Sequence, residues 1–472
     1  MLRLFDLWRT PTGRLTRRAW MACSTLPLLA GHRRLLHARD SSTSPASGRA
    51  KSVLFIVANG GPSQLETFDP KPLAPAEIRG EFSAISTALP GVSFCEHLPR
   101  LAKMADQFSI VRSMSHADLD HGSALYLTLT GQYHSRLSSN PAPSPLDRPT
   151  LGSLVKTLQP TNRFVQTAIH VNGPALIPIH VGAGQNGGFL GPEADPLVLG
   201  DVTAMTSPVP ELAPLPELSL VRLDRRRSLR ANLERQLTWG EGSRSVRYDE
   251  HDRRAWDMLH DPRVRTAFDL EAERESLRDR FGRDRSGQAC LIARRLVEAG
   301  VPWTTVFWNH TGRGQDLAPD ITTEYGWDTH NDIFDAMKQR LLPRFDQSLS
   351  ALLTDMGERG LLETTLVVVA GEFGRAPLIA RERNFAGTSP GRKHWSACYS
   401  VLCAGAGTLP GKIIGSSDSQ AAYPTSQSYG PWDLAATLLS ALGIDPEQRF
   451  DDALGRTHAV VEGHPIAALY EN

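Results

Sequence analysis

Short polar stretches follow several strongly apolar segments, and their residue types are those of metal and acid–base chemistry. Gly326-Trp327-Asp328-Thr329-His330 places a carboxylate and an imidazole two residues apart. In an extended segment these two side chains point to the same side. Gly371-Glu372-Phe373-Gly374-Arg375 adds a carboxylate and a guanidinium, and Gly391-Arg392-Lys393-His394-Trp395 adds another imidazole. Asn59, Ser63, Glu66 and Asp69 follow the first apolar run; Asn309 and His310 follow a later one. Mixed carboxylate and imidazole ligands suit Zn²⁺ or Mn²⁺/Fe²⁺ better than Ca²⁺. The spacing fits a plainer arrangement as well. In that one Asp328 caps a turn, His330 packs beside Trp327, Glu372 pairs with Arg375, and His394 lies on the surface.

In open α/β sheets sites gather at the carboxyl ends of strands, so the apolar runs decide which polar residues meet. Val53–Val57 is continuously apolar and is broken by Asn59-Gly60-Gly61-Pro62. Such a run reads as a central strand buried on both faces. Trp303–Trp308 and Thr365–Ala370 read the same way, and the three are expected as neighbours or near neighbours in one sheet. Further strands are expected over Phe108–Val111 and Tyr399–Cys403. Helices are expected over Asp120–Leu129, Asp224–Leu237, Ala267–Ala299 and Ile333–Arg359, with a last one from Trp432 to Gly443. Residues 141–216 are rich in Pro and Gly and read as irregular, with small strands. Strands alternating with helices predict an α/β fold: a mainly parallel sheet sandwiched between helices.

The chain has 472 residues, 40% hydrophobic and 22% charged, a globular composition that argues against disorder. Lys+Arg and Asp+Glu are both 51, which excludes a strongly basic nucleic-acid binder as the default. No uninterrupted apolar run reaches the ~18 residues of a transmembrane helix. Near the start, Thr16-Arg17-Arg18-Ala19-Trp20-Met21 precedes a modest apolar stretch, Ala19 to Gly31. This resembles a twin-arginine export signal, with Trp20 and Met21 where Phe and Leu are usual. Ser41 to Ala50 reads as a Ser-rich linker. The expected organisation is therefore a signal and linker over 1–50, one domain over 51–472, and a periplasmic or extracellular location. Of five cysteines, Cys23 falls in the leader, and Cys95, Cys290, Cys398 and Cys403 form no CxxC pair. That is neither a disulfide scaffold nor a zinc ribbon. Free buried thiols are expected, with one long-range disulfide as the alternative.

The motifs taken together resemble a known family. Asn59-Gly60-Gly61-Pro62-Ser63-Gln64-Leu65-Glu66-Thr67-Phe68-Asp69-Pro70-Lys71-Pro72 is similar to its opening motif. The segment from Gly287-Gln288-Ala289-Cys290 to Glu298-Ala299-Gly300-Val301 is similar to its middle motif. The Gly326, Gly371 and Gly391 segments complete the set, from about residue 50 to the end. The family is the twin-arginine-exported domain-of-unknown-function 1501 family, sulfatase-like and grouped with the alkaline phosphatase-like superfamily.

The resemblance implies one or two divalent ions (Zn, Mn or Ca) at the carboxyl edge of the sheet. Asp328, His330 and His394 would hold the first. Glu372 would stand where the superfamily has an Asp-His pair, with Phe373 at the His position, and Asn59 where it has an Asp. Thr130-Gly131 matches the pair that follows the superfamily nucleophile. Counting back from it puts His121 at that position, in Asp120-His121-Gly122-Ser123, with Ser113, Ser115 and Ser123 nearby. A histidine there is a nucleophile, a ligand or a general acid. Arg375, Lys393 or Arg112 would clamp an anion. No Cys-x-Pro-x-Arg motif for formylglycine is present. The expectation is an exported metal-dependent hydrolase of sulfate or phosphate esters, acting on a small molecule or polysaccharide and not on nucleic acid. The alternative is a non-catalytic binding or assembly protein on the same scaffold, suggested by Asn59, Phe373 and His121.

Overall fold

Six consecutive buried residues, Ser52–Val57, form β1 in the interior of the main sheet. Burial on both faces follows from the run itself. Leu54 and Ile56 enter one hydrophobic core, while Val53, Phe55 and Val57 enter another on the opposite face. The computed structural model describes residues 47–177, 180–204, 261–312, 326–452 and 454–471, with isolated positions between 222 and 229. The expected leader with Arg17, Arg18 and Cys23, and most of the helix expected over Asp224–Leu237, lie outside the described residues.

The other sheet strands are β2 (Ser109–Met114), β3 (Ala168–Val171), β4 (Leu197–Leu199), β5 (Trp303–Phe307), β6 (Thr365–Ala370), β7 (Tyr399–Ala404) and β8 (Ile413–Ile414). Their order in space is β8-β2-β7-β6-β1-β5-β3-β4. β1 lies between β5 and β6, parallel to both, with Val57 opposite Phe307 and Ala370. The three runs expected at the centre are therefore immediate neighbours, as their double-sided burial requires. β7 runs antiparallel to β2 and β6, and the remaining pairings are parallel. The fold is thus an α/β sheet, mainly parallel, between two helical layers.

One layer contains α3 (Arg285–Glu298) and α4 (Leu342–Glu358), which send Cys290, Leu291, Leu349 and Leu352 into the first core. The other contains α1 (His121–Thr130) and α5 (Pro431–Ala441), which send Leu125, Leu129, Leu434 and Leu438 into the second. α2 (Leu151–Leu158) lies within the segment read as irregular. No described helix is long and apolar enough to cross a membrane. Cys95, Cys290, Cys398 and Cys403 are free and buried.

Two expected helices are interrupted. Ala267–Ala299 falls into the end of Pro262–Phe268, a short turn at Leu270–Ala272, Glu275–Phe281 and α3. Gly282, at φ +94°, stops one piece, and the Asp284 carboxylate accepts from Gly287 N to start the next. Ile333–Arg359 passes through a π turn at Met337–Leu341 before Pro343, whose missing N–H loosens the helical ladder there.

Candidate metal centre

The expected residues converge at the carboxyl end of β1, β5 and β6. β1 runs out into Asn59 and Gly60, and β6 into Glu372 and Phe373. The loop 326–332 packs down on Gly60, which takes φ +112°. A Cβ on Gly60 would lie 2.5 Å from Asp328 N and 2.7 Å from Gly312 O, so only glycine permits the approach. Trp327 N donates to Asn59 O at 3.1 Å and Asp328 N to Gly312 O at 2.9 Å, which fixes the Asp328 backbone. A two-residue antiparallel ribbon pairs Gly374–Arg375 with His394–Trp395 and sets His394 opposite Arg375. Gly391 brings this ribbon against the loop, because a Cβ there would meet the His330 carbonyl at 2.4 Å. His121 is the first residue of α1.

These elements bring one ligand atom each from His121, Asp328, His330 and His394 within 4.8 Å of one another. Asp328 Oδ1 is the hub. It lies 3.1 Å from His121 Nε2, 3.1 Å from His330 Nε2 and 3.3 Å from His394 Nε2. His330 Nε2 and His394 Nε2 are 2.9 Å apart. The His121–Asp328 contact is within hydrogen-bond distance but poorly aligned, and His121 Nε2 has no hydrogen-bond partner.

The surrounding contacts set the proton positions. Burial, and then the neighbouring charge of His121, push His394 down to about 3, so its ring is neutral. Its Nδ1–H donates to Leu119 O at 2.7 Å, which leaves a bare lone pair on Nε2. That lone pair faces the Asp328 carboxylate. Burial alone would raise Asp328, but His121 and Arg375 hold it well below the usual carboxylate range. Two acceptors facing each other away from water call for a cation or a shared proton. Arg375 already donates to Asp328 Oδ1 at 2.8 Å, and His330 Nε2 lies within reach of both acceptors.

His121 donates from Nδ1 to Glu372 Oε1 at 2.6 Å, and Glu372 also accepts from Gly60 N at 2.9 and 3.1 Å. Burial lowers the His121 pKa, but Asp328 and Glu372 outweigh it and raise the pKa to about 9. Without a metal, His121 is the group that carries the compensating positive charge. With its Nδ1 turned to Glu372, its Nε2 is the nitrogen available to a cation. His116 supports this arrangement, with Nε2 2.7 Å from Glu372 O and Nδ1 accepting from Asp118 N. The donor set of three imidazole nitrogens and one carboxylate fits Zn²⁺ or Mn²⁺/Fe²⁺.

The other expected residues take different places. Glu372, expected among the ligands, stands behind His121 and outside the cluster. Asn59 contributes its backbone oxygen to Trp327 N and Asn309 Nδ2, while its Oδ1 is buried with no partner. Arg375, expected as an anion clamp, is fully buried. Its guanidinium donates to Gly60 O, to Gly61 O at 3.0 Å, to Arg392 O at 3.3 Å and to Asp328 Oδ1 at 2.8 Å. Lys393 pairs with Glu382 at 3.0 Å, and Arg112 faces Asp69 at 3.4 Å. Ser123 gives its hydroxyl to Asp118 Oδ1 at 2.7 Å. Phe373 packs its ring on both His121 and His394, at centroid distances of 5.0 and 4.7 Å. The carbonyl of Leu119, which no motif marks, orients His394.

Residues 50–470 match the family described as "Protein of unknown function (DUF1501)". No curated protein matches the sequence. Similar solved structures include a sulfatase from Pseudoalteromonas sp., 14% identical, covering 84% of this chain and 68% of that one at a TM-score of 0.37. The phosphonate monoester hydrolase from Silicibacter pomeroyi is 14% identical, over 89% of this chain and 76% of that one, at 0.38. A protein in the alkaline phosphatase superfamily from Vibrio parahaemolyticus is 12% identical, over 86% and 71%, at 0.39. Such TM-scores leave the family to the sequence match.

Proposed function

The chain belongs to the DUF1501 family, described only as of unknown function, and from that premise we propose that it is a metal-dependent hydrolase of sulfate or phosphate esters. His121, Asp328, His330 and His394 would hold one divalent cation. When bound, the cation would polarise the ester oxygen and stabilise the charge that develops on it. The residues of the chain do the rest. Glu372 keeps the His121 proton on Nδ1, Leu119 O keeps the His394 proton on Nδ1, and both Nε2 atoms face inward. Arg375 holds Asp328 ionised. The Phe373 ring closes one wall against His121 and His394, at the position where a second ion would need an imidazole. A single ion follows from that replacement. Since His121 is engaged as a ligand and Ser123 by Asp118, water is the attacking group this reading assigns.

The observation that carries it is the convergence of three imidazole nitrogens and the Asp328 carboxylate within 4.8 Å of one another, a donor set that fits a cation. The test is a screen of the metal-loaded protein against aryl sulfates and phosphate mono- and diesters, alongside His394→Ala. Turnover that disappears with His394→Ala supports the proposal; no turnover with the metal in place refutes the hydrolase. One observation favours a second reading, a non-catalytic binding or assembly protein. Arg375, Lys393 and Arg112, the cations expected to clamp an ester anion, are already paired. Export through Arg17 and Arg18 belongs to the same proposal, because folded export lets a protein load its metal before it crosses the membrane.

A further inference from the structure

Asn331 and Asp332 follow the ligand His330 directly and hold a loop that the proposed chemistry does not use. Asn331 is fully buried. Its Nδ2 donates to Glu382 O at 2.9 Å and to Phe385 O and Ala386 O at 3.0 Å, and its Oδ1 accepts from Glu382 N at 2.9 Å. Asp332 Oδ1 accepts from Thr388 N at 3.0 Å, from Ser389 N at 2.6 Å and from Ser389 Oγ at 2.7 Å. To do this Asp332 takes φ +52°, a region that residues with a side chain enter rarely.

The residue these bonds place is Phe385. Its ring lies parallel on the His330 imidazole, with centroids 3.8 Å apart and planes 8° apart. His330 Nδ1 is buried without a hydrogen-bond partner, so stacking supports this ring where hydrogen bonds at Nδ1 hold His121 and His394. Phe385 is nevertheless 39% exposed, and Leu119, whose carbonyl holds His394, is 49% exposed. A single exposed apolar side chain is ordinary. An exposed aromatic ring held rigidly against a metal-ligand histidine, with a second exposed apolar residue at the neighbouring one, is a built surface. Arg375 and Lys393 are taken up by Asp328 and Glu382, while Arg381 and Arg383 are exposed in the loop that carries Phe385. The rim therefore offers apolar area beside exposed positive charge.

We propose that the site takes an ester whose substituent beside the reacting group is flat and apolar, seated on the outer face of Phe385 and bordered by Leu119. This rests on the metal-hydrolase reading and narrows its substrate class to esters with an apolar substituent. Phe385 is then a specificity-determining residue as well as a support for His330.

The test is calorimetric binding to the zinc-loaded protein, with metal content measured on every sample. The probes are methylphosphonate, phenylphosphonate and glucose 6-phosphate, which share an anionic head and differ beside it. Phenylphosphonate should bind about 3- to 10-fold more tightly than methylphosphonate, the range one aromatic contact supplies. Phe385→Ala should bring that ratio close to one in samples that retain their zinc. Leu119→Ala, which leaves the backbone carbonyl in place, should reduce the ratio in a variant whose His330 stacking is untouched. Equal binding of the two phosphonates by the unmodified protein overturns the apolar seat. So does an unchanged ratio in zinc-retaining Phe385→Ala, which would leave Phe385 a support for His330 only. Tighter binding of glucose 6-phosphate also overturns it. If the zinc-loaded protein binds none of the three, the ester reading itself fails, and the proposal fails with it.

Discussion

Glu372→Gln removes a charge from behind His121 without removing its volume. In the native site one carboxylate serves two donors, His121 Nδ1 at 2.6 Å and Gly60 N at 2.9 and 3.1 Å. Oε1 takes both donors, and Oε2 also lies 3.1 Å from Gly60 N. An amide oxygen in the Oε1 place keeps both bonds, but its NH₂ then stands against Gly60 N, and two donors oppose each other away from water. With the amide turned over, the NH₂ faces His121 Nδ1, which must then become the acceptor and move its proton to Nε2, into the centre. Either outcome works against a cation. Loss of such an outer partner typically weakens metal binding about 10- to 100-fold, or roughly 1.4–2.8 kcal/mol at 1.4 kcal/mol per tenfold. The metal-free fold should lose about 1–3 kcal/mol from the unsatisfied donor. The assay is competition with a chromophoric chelator for Zn²⁺, beside a denaturant melt of the apoprotein. A folded variant that binds zinc as tightly as the native protein would refute the role given to Glu372.

His170 lies buried on β3 with both ring nitrogens unpartnered, and burial pushes it down to about 3. It is neutral in the fold and protonates on unfolding, so stability should be full above the ordinary histidine pKa of about 6.5 and fall below it at up to ~1.4 kcal/mol per pH unit. Melts of His170→Leu between neutral pH and pH 4 should lack that slope; a slope equal to the native one would contradict the assignment. Gly391→Ala puts a Cβ 2.4 Å from the His330 carbonyl and should separate the two loops, lowering zinc affinity more than a surface Gly→Ala does in the same chelator assay. Asn331→Ala removes the bonds that tie down the 382–386 loop, and limited proteolysis should cut there faster than in the native protein. Changing Arg17 and Arg18 together to Lys should keep a signal-dependent reporter in the cytoplasm, whereas unchanged export would remove the twin-arginine reading.

β1, β5 and β6 were legible because strands buried on both faces carry mainly apolar runs, interrupted in β5 only by Thr304 and Thr305, and a run has no face to misassign. Asp328, His330 and His394 were legible as residue types beside strand ends. Their meeting depends on the ribbon that pairs His394 with Arg375, and no local pattern announces such a pairing. Glu372 reads as a ligand in sequence because a carboxylate that binds a cation and one that hydrogen-bonds a histidine look the same there. Arg375 reads as an anion clamp for the same reason. Only the fold shows its donors spent on backbone oxygens and Asp328. The stripe over Ala267–Ala299 reads as one helix because a single glycine such as Gly282 is tolerated within a helical pattern, and only its positive φ in the fold marks the break. Phe385 and the Leu119 carbonyl left no mark at all. One acts through a loop tied by Asn331 and Asp332, the other through a backbone atom that every residue possesses.

The central claim is that His121, Asp328, His330 and His394 form a cation site. Elemental analysis of the full chain, purified without chelator and then incubated with Zn²⁺ or Mn²⁺ and desalted, tests it most directly. The account predicts one divalent ion per chain, lost in His330→Ala and in His394→Ala while both variants keep the native far-ultraviolet circular dichroism. A folded native protein that retains no ion, or one whose ion is retained equally by both variants, would contradict it.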